Sequence, residues 1–256
     1  MVGGSVGYQA AKMSPTTNPD TIVDHWGQSA FPINGILQMN TFDKAVFPTK
    51  GIKLWTNVSF NFNISHRALL KPGFTSFPQE TADELTAVDP YIMFRLGVQK
   101  FFPVSKKVSL YADAMLTMSE KNNIGFNDYS KIGGISPILF SSTPFWGATR
   151  NEININQFAI LSVGIQWNIM GNLYFKGKVN YLDTEYPMTW LINSLDAAEF
   201  ELYGKTHTNM FGFGGELAYN SPFGPIRLTV HQNQYSNTMN LFVAFGYNIY
   251  KSKGHF

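Results

Sequence analysis

Residues 52–62, IKLWTNVSFNF, alternate with a period of two. Ile52, Leu54, Thr56, Val58, Phe60 and Phe62 fall on one face, with Lys53, Trp55, Asn57, Ser59 and Asn61 on the other. Successive residues of a strand point to opposite faces, so the stretch reads as a β-strand with one apolar and one mixed face. The same rhythm recurs at 91–99, 108–118, 157–169, 173–182, 211–219, 226–233 and 241–250. No apolar face among these segments carries a charge. The charges sit opposite, as Lys53, Arg95, Asp113, Lys176, Lys178, Glu216 and Arg227. Repeated strands of this kind demand an all-β, antiparallel fold.

Two architectures use such strands. A soluble sandwich buries its apolar faces and wets the others, which are then rich in Lys and Glu. A transmembrane β-barrel turns the apolar faces to lipid and encloses the polar ones, with strands of about 9–11 residues. Here only 14% of the 256 residues are charged while 15% are aromatic, against about 25% charged in an ordinary soluble domain. No run of apolar residues is long enough for a spanning helix.

Loop lengths separate the two. Ten strands are expected near 2–10, 31–42, 50–62, 90–101, 106–118, 156–170, 172–183, 207–220, 223–234 and 238–250. Their connections alternate long and short, except for a short final tip at Tyr235-Ser236-Asn237. The short turns carry good turn formers, at Phe102-Pro103, Gly171-Asn172 and Ser221-Pro222-Phe223-Gly224. Long loops on one side and short turns on the other are the habit of outer-membrane barrels. The expectation is therefore a bacterial outer-membrane β-barrel whose partner is the lipid bilayer. The net charge of +2 gives no basis for nucleic-acid binding. The absence of cysteine removes disulfides, thiolate metal sites and cysteine catalysis.

Three stretches carry a family resemblance. TFDKAVFPTKG (41–51) resembles the Asp-x-x-x-x-Pro-x-x-Gly turn of bacterial surface antigen barrels. YNSPFGPIRLTV (219–230) and the final strand resemble that superfamily's last hairpin. The segment 132–169 resembles its long mid-barrel loop and following strand, and its Pro-Phe-x-Gly then Asn-Glu-Ile is most similar to barrels fused behind patatin-like phospholipase domains. The superfamily, of the BamA/TamA type, includes barrel-assembly and two-partner-secretion translocons. The resemblance implies anchoring, and translocation or assembly of protein or lipid, with outer-membrane assembly machinery or a secreted polypeptide as partner. A channel-forming or purely structural barrel is the alternative. Superfamily barrels usually have sixteen strands, so the chain is expected to be a fragment holding the last ten. That would also account for a start lacking the basic and apolar segments of a signal peptide.

The departures bear on mechanism. In the assembly and secretion members the loop tip carries an arginine paired with an acid on the second strand after it. Here the tip reads Pro144-Phe145-Trp146-Gly147, and the corresponding strand, LYFKGKVNY (173–181), presents Lys176 and Lys178 instead. Loss of both partners together is coherent, because one alone would leave a poorly compensated charge. Arg150 is a candidate substitute, against the reading that Phe145 and Trp146 anchor the loop by packing. Arg95, Asp113, Glu216 and Arg227 are candidate lumen charges, read as a structural network rather than a substrate path. Residues 187–203 are a candidate short helix in an external loop, read as capping the pore or meeting a partner, against the alternative of a self-packed loop.

One stretch imitates an active site. Gly3-Gly4-Ser5-Val6-Gly7 fits G-x-S-x-G, the turn that exposes a serine nucleophile between a strand and a helix. Four residues before Ser5 leave no room for that strand, and no Asp-Gly dyad of the patatin kind occurs anywhere. Alternation instead points Val2, Gly4, Val6 and Tyr8 to lipid and Gly3, Ser5, Gly7 and Gln9 to the lumen. His25, His66, His207, His231 and His255 lack metal-ligand spacing and read as ordinary polar residues. The sequon Asn57-Val58-Ser59 lies mid-strand. No catalytic residue, metal or cofactor is expected of this chain; what the resemblance implies upstream of it in the full-length protein is a patatin-like phospholipase domain or, as the alternative, periplasmic repeat modules.

Overall fold

The computed structural model describes residues 1–13, 23–70, 87–121, 124–125, 128–135, 142–185 and 199–246. One large antiparallel sheet forms the wall. Its strands are β1 (Val2–Val6), β2 (Gln9–Met13), β3 (Val23–Asn40), β4 (Gly51–Leu70), β5 (Tyr91–Pro103) and β6 (Val108–Ser119). Three short strands follow in the long loop: β7 (Ser130–Ile132), β8 (Ser142–Thr143) and β9 (Ile153–Ile155). The wall resumes with β10 (Phe158–Met170) and β11 (Leu173–Asp183), and after the small hairpin of β12 (Phe200–Leu202) and β13 (Lys205–His207) it ends with β14 (Asn209–Ser221), β15 (Gly224–Asn233) and β16 (Asn240–Phe245). Neighbours in the sheet run β1-β3-β4-β5-β6-β10-β11-β14-β15-β16, with β2 beside β3.

The polarity of this wall is inside out. Along β10, Leu161, Val163, Ile165 and Trp167 are exposed whereas Ser162 and Gln166 are buried. Val163 is 62% exposed and its neighbour Ser162 only 4%. The same holds on β14 and β15, where Phe213, Leu217, Leu228 and Val230 are exposed but Glu216, Thr229 and His231 are buried. Exposed aliphatics form a band bordered by aromatics. Phe102, Trp167, Phe175 and Tyr219 lie toward the short turns, and Phe31, Phe60 and the tilted pair Tyr181–Phe211 toward the long loops. At about 3.4 Å per residue, the run from Phe175 to Tyr181 spans roughly 20 Å along the strand, which fits within the apolar band of an outer-membrane barrel.

All ten expected strands are present, with shifted ends. The first is divided into β1 and β2 at Gly7-Tyr8, opposite Phe31-Pro32. Gly7 N donates to Pro32 O at 3.1 Å, but Pro32 has no N–H to return, so the ladder lapses there. β3 and β4 form a longer hairpin than the expected 31–42 and 50–62, because pairing continues through 23–30 and 63–70 with a bulge between Ser29 and Phe31. Alternation fades in those extensions while the backbone ladder persists, so periodicity could not reveal them. The expected helix at 187–203 is overturned where described: Phe200–Leu202 is a strand paired with Lys205–His207. Gly204 at φ 72° and Tyr203 at φ 53° make the turn between them. Residues 186–198, and 247–250 of the expected last strand, lie outside the described residues.

Antiparallel connectivity collects the short turns at one end. Thr41–Lys50 is the largest and folds into the barrel mouth. Asp43 accepts from Thr49 N at 2.8 Å, Thr49 Oγ1 at 2.6 Å and Lys50 N at 3.1 Å. Burial alone would raise its carboxyl, but these bonds prevail and lower its pKa to about 2. Gly51, at φ 111°, closes the turn where any Cβ would overlap the Thr41 carbonyl. This geometry explains the Asp-to-Gly spacing. It drives Phe47 into the lumen, where it stacks on Tyr174 with centroids 4.1 Å apart, while Pro48 O accepts from Gln166 Nε2 at 2.9 Å.

Candidate functional site: a plugged lumen

The long loop between β6 and β10 enters the barrel and is pinned to opposite walls. Near its start, Asp128 accepts from Tyr91 Oη at 2.6 Å and from Arg95 Nη2 at 3.2 Å. Arg95 also donates to the Asp128 carbonyl at 3.1 Å. Arg95 is thus bonded to the loop, not to another wall charge. Beyond it, β7, β8 and β9 make a small sheet, and Gly134 bridges to Phe145 to form the tip.

The tip docks through its backbone. Trp146 N donates to Asn180 Oδ1 at 3.1 Å, and Asn180 Nδ2 donates back to Trp146 O at 2.7 Å. Gly147 N donates to His231 Nδ1 at 2.8 Å, and Asn233 Nδ2 donates to Gly147 O at 2.5 Å. All four groups are buried, where an unpaired donor or acceptor costs about 1–3 kcal/mol. Gly212 on β14 makes room, since a Cβ there would overlap the Trp146 carbonyl oxygen. Gly147 itself has φ 122°, a conformation that L side chains rarely adopt. Phe145 and Ala148 are fully buried in the cluster of Ile132, Ile153, Ile155, Phe158, Leu182 and Met210. Arg150 is exposed and lies outside these contacts.

Below the tip is a lumen cavity of about 280 Å³, lined by Lys53, Trp55, Gln99, Tyr111, Asp113, Trp146, Lys176, Lys178, Glu216 and Arg227 among others. Lys178 and Asp113 pair at 3.3 Å. They meet across β10 because that strand presents Ser162 and Gly164 between them. Glu216 accepts from Thr229 Oγ1 at 3.2 Å. Lys176 Nζ lies 5.0 Å and Arg227 Cζ 6.0 Å from the centroid of Phe47. The cavity therefore gathers Asp113, Glu216 and Arg227, while Arg95 lies at the base of the loop.

Sequence reasoning overlooked Asn180, Gly212, His231 and Asn233 as the residues that receive the tip. His231 was expected to be an ordinary polar residue but accepts the Gly147 N–H and stacks on Phe242. Its lumen-facing place in β15, beside a loop with a Gly-containing tip, was the available signal. Ser5 lies extended within β1 opposite Asn34, not at a strand-to-helix turn. Among the described residues no group of His, Asp and Glu is placed to hold a metal ion.

The chain thus combines an antiparallel wall, an apolar exterior and a loop docked in the lumen on late strands. The chain has the BamA barrel fold. It superposes on the crystal structure of BamA from Haemophilus ducreyi lacking POTRA domains 1-3 with a TM-score of 0.54 and 14% identity. The match covers 94% of this chain and 49% of that one, so the chain spans about half its length. No protein-family model matches the sequence, and no curated protein matches it.

Proposed function

We propose that this chain is an outer-membrane β-barrel of the surface antigen superfamily, which anchors its protein in the bilayer and takes part in inserting or moving a polypeptide or lipid. The observation that carries the reading is the reversed polarity of the wall, with exposed Val163 and Leu228 beside buried Ser162 and Thr229. Such an exterior is stable in lipid and a liability in water. The lumen favours this role over free diffusion, because the Phe145–Gly147 tip and Phe47 both fill it. Association with a patatin-like domain is part of the proposal, supported by the Pro-Phe-x-Gly and Asn-Glu-Ile spacing (144–147 and 151–153). So is membership of a larger barrel: among the described residues, β1 and β2 pair only with β3, and β16 only with β15.

The test is to fractionate cells expressing the protein and to reconstitute it in planar bilayers. Outer-membrane recovery with little steady conductance is the expected result. Recovery in the soluble fraction would overturn the membrane reading. A large, steady conductance would instead favour a channel-forming barrel.

A further inference from the structure

Two cations in the lumen cavity, Lys176 and Arg227, share one aromatic ring, that of Phe47. Tyr174 lies parallel to Phe47, with an interplanar angle of 6° and centroids 4.1 Å apart, and covers one face of that ring. Lys176 Nζ and Arg227 Cζ therefore share the other face, at 5.0 and 6.0 Å from the centroid. Among the described residues neither makes an ion pair within 4.0 Å, and Arg227 Nε is buried without a hydrogen-bond partner. Lys178 is already matched with Asp113. Glu216 faces Lys176 across the β11–β14 ladder, but its Oε2 accepts from Thr229 and its Oε1 has no partner. The cavity holds four cationic side chains, Lys53, Lys176, Lys178 and Arg227, against two carboxylates, Asp113 and Glu216. A ring face offsets like-charge crowding only in part.

We propose that the space between Lys176 and Arg227 is a binding site for a small oxyanion of the phosphate class. The planar guanidinium offers a fork of donors to such an anion and the ammonium a mobile point charge. Phe47, driven inward by the Asp43 turn, forms the apolar floor that holds both cations to one side. The cavity of about 280 Å³ admits an oxyanion with a few waters. It lies on the lumen side of the wall, away from the lipid-facing band, which favours a soluble ion over a lipid headgroup.

The experiment uses the whole chain folded in neutral detergent, with inorganic phosphate as one probe and phosphatidic acid as the other, read by ³¹P NMR and titration calorimetry. Saturable binding of inorganic phosphate, weakened at least tenfold in both Lys176→Gln and Arg227→Gln, is the expected result. Glu216→Gln removes a competing carboxylate and is expected to tighten binding, which covers the case in which a charge-loss variant does not fold. Saturable phosphatidic acid binding that is lost in the same variants also supports the site and assigns its source to a headgroup. No binding of either probe, or equal binding in wild type and all three variants, overturns the proposal. The measurement needs only the folded chain, so its failure is separable from failure of the outer-membrane reading.

Discussion

At the residue scale, the plug depends on a missing side chain. Gly212 faces the lumen where the Trp146 carbonyl passes, and its neighbours Asn180 and Asn233 bond the tip on either side. Gly212→Val is expected to expel the tip while leaving the wall ladder intact. Limited proteolysis within the long loop should then accelerate at least tenfold and bilayer conductance should rise; unchanged rates of both would refute docking at this point. Asp43 gives a pH prediction. Its folded-state pKa, lowered to about 2, lies below the ordinary 3.8, so its hydrogen bonds contribute stability that is fully present above the ordinary value. That contribution is lost as pH falls through the folded value, in a window from about 4 down to about 2. Unfolding midpoints across that window should fall more for wild type than for Asp43→Asn, and parallel curves would refute the assignment.

At the element scale, legibility depended on whether an element repeats. Strands such as β10 and β14 announce themselves because every second residue obeys one solvent and the others another. Their middles were therefore readable, and the Asp43–Gly51 spacing marked the turn but not that it folds inward. The ends of β3 and β4 were not readable, since beyond the apolar band backbone pairing needs no side-chain alternation. The loop tip was recognisable as Pro144–Gly147, but its receptors were not. Asn180 lies on the lumen face of β11 and His231 and Asn233 on that of β15, and only the sheet order β11-β14-β15 brings them together. Because Asn180 and Asn233 hold the same short tip, their effects should be coupled. Asn180→Leu and Asn233→Leu are each expected to cost about 1–3 kcal/mol, with a coupling energy of about 0.5–3 kcal/mol in a double-mutant cycle. Strict additivity in denaturant titrations would mean that the two side chains hold the tip independently.

At the scale of the whole molecule, the inverted wall makes opposite demands in water and in lipid, which turns polarity into a measurement. Val163 lies on the exposed side of β10, between the aromatic levels marked by Trp167 and Tyr181. On a water-exposed sheet, replacing a protruding valine with arginine would change stability little and would improve solubility. In a bilayer the same change places a guanidinium near the middle of the apolar band, at a cost of about 2–4 kcal/mol. Val163→Arg should therefore lower unfolding stability in phospholipid vesicles by that amount. Arginine at Phe223, in a short turn outside the band, should cost about 0–1 kcal/mol. Detergent micelles deform around a charge more readily than a bilayer, so the Val163→Arg penalty should shrink there. Equal stability of the two variants in vesicles would remove the physical basis for placing β10 in a membrane, and with it the argument that the buried polar face is a lumen.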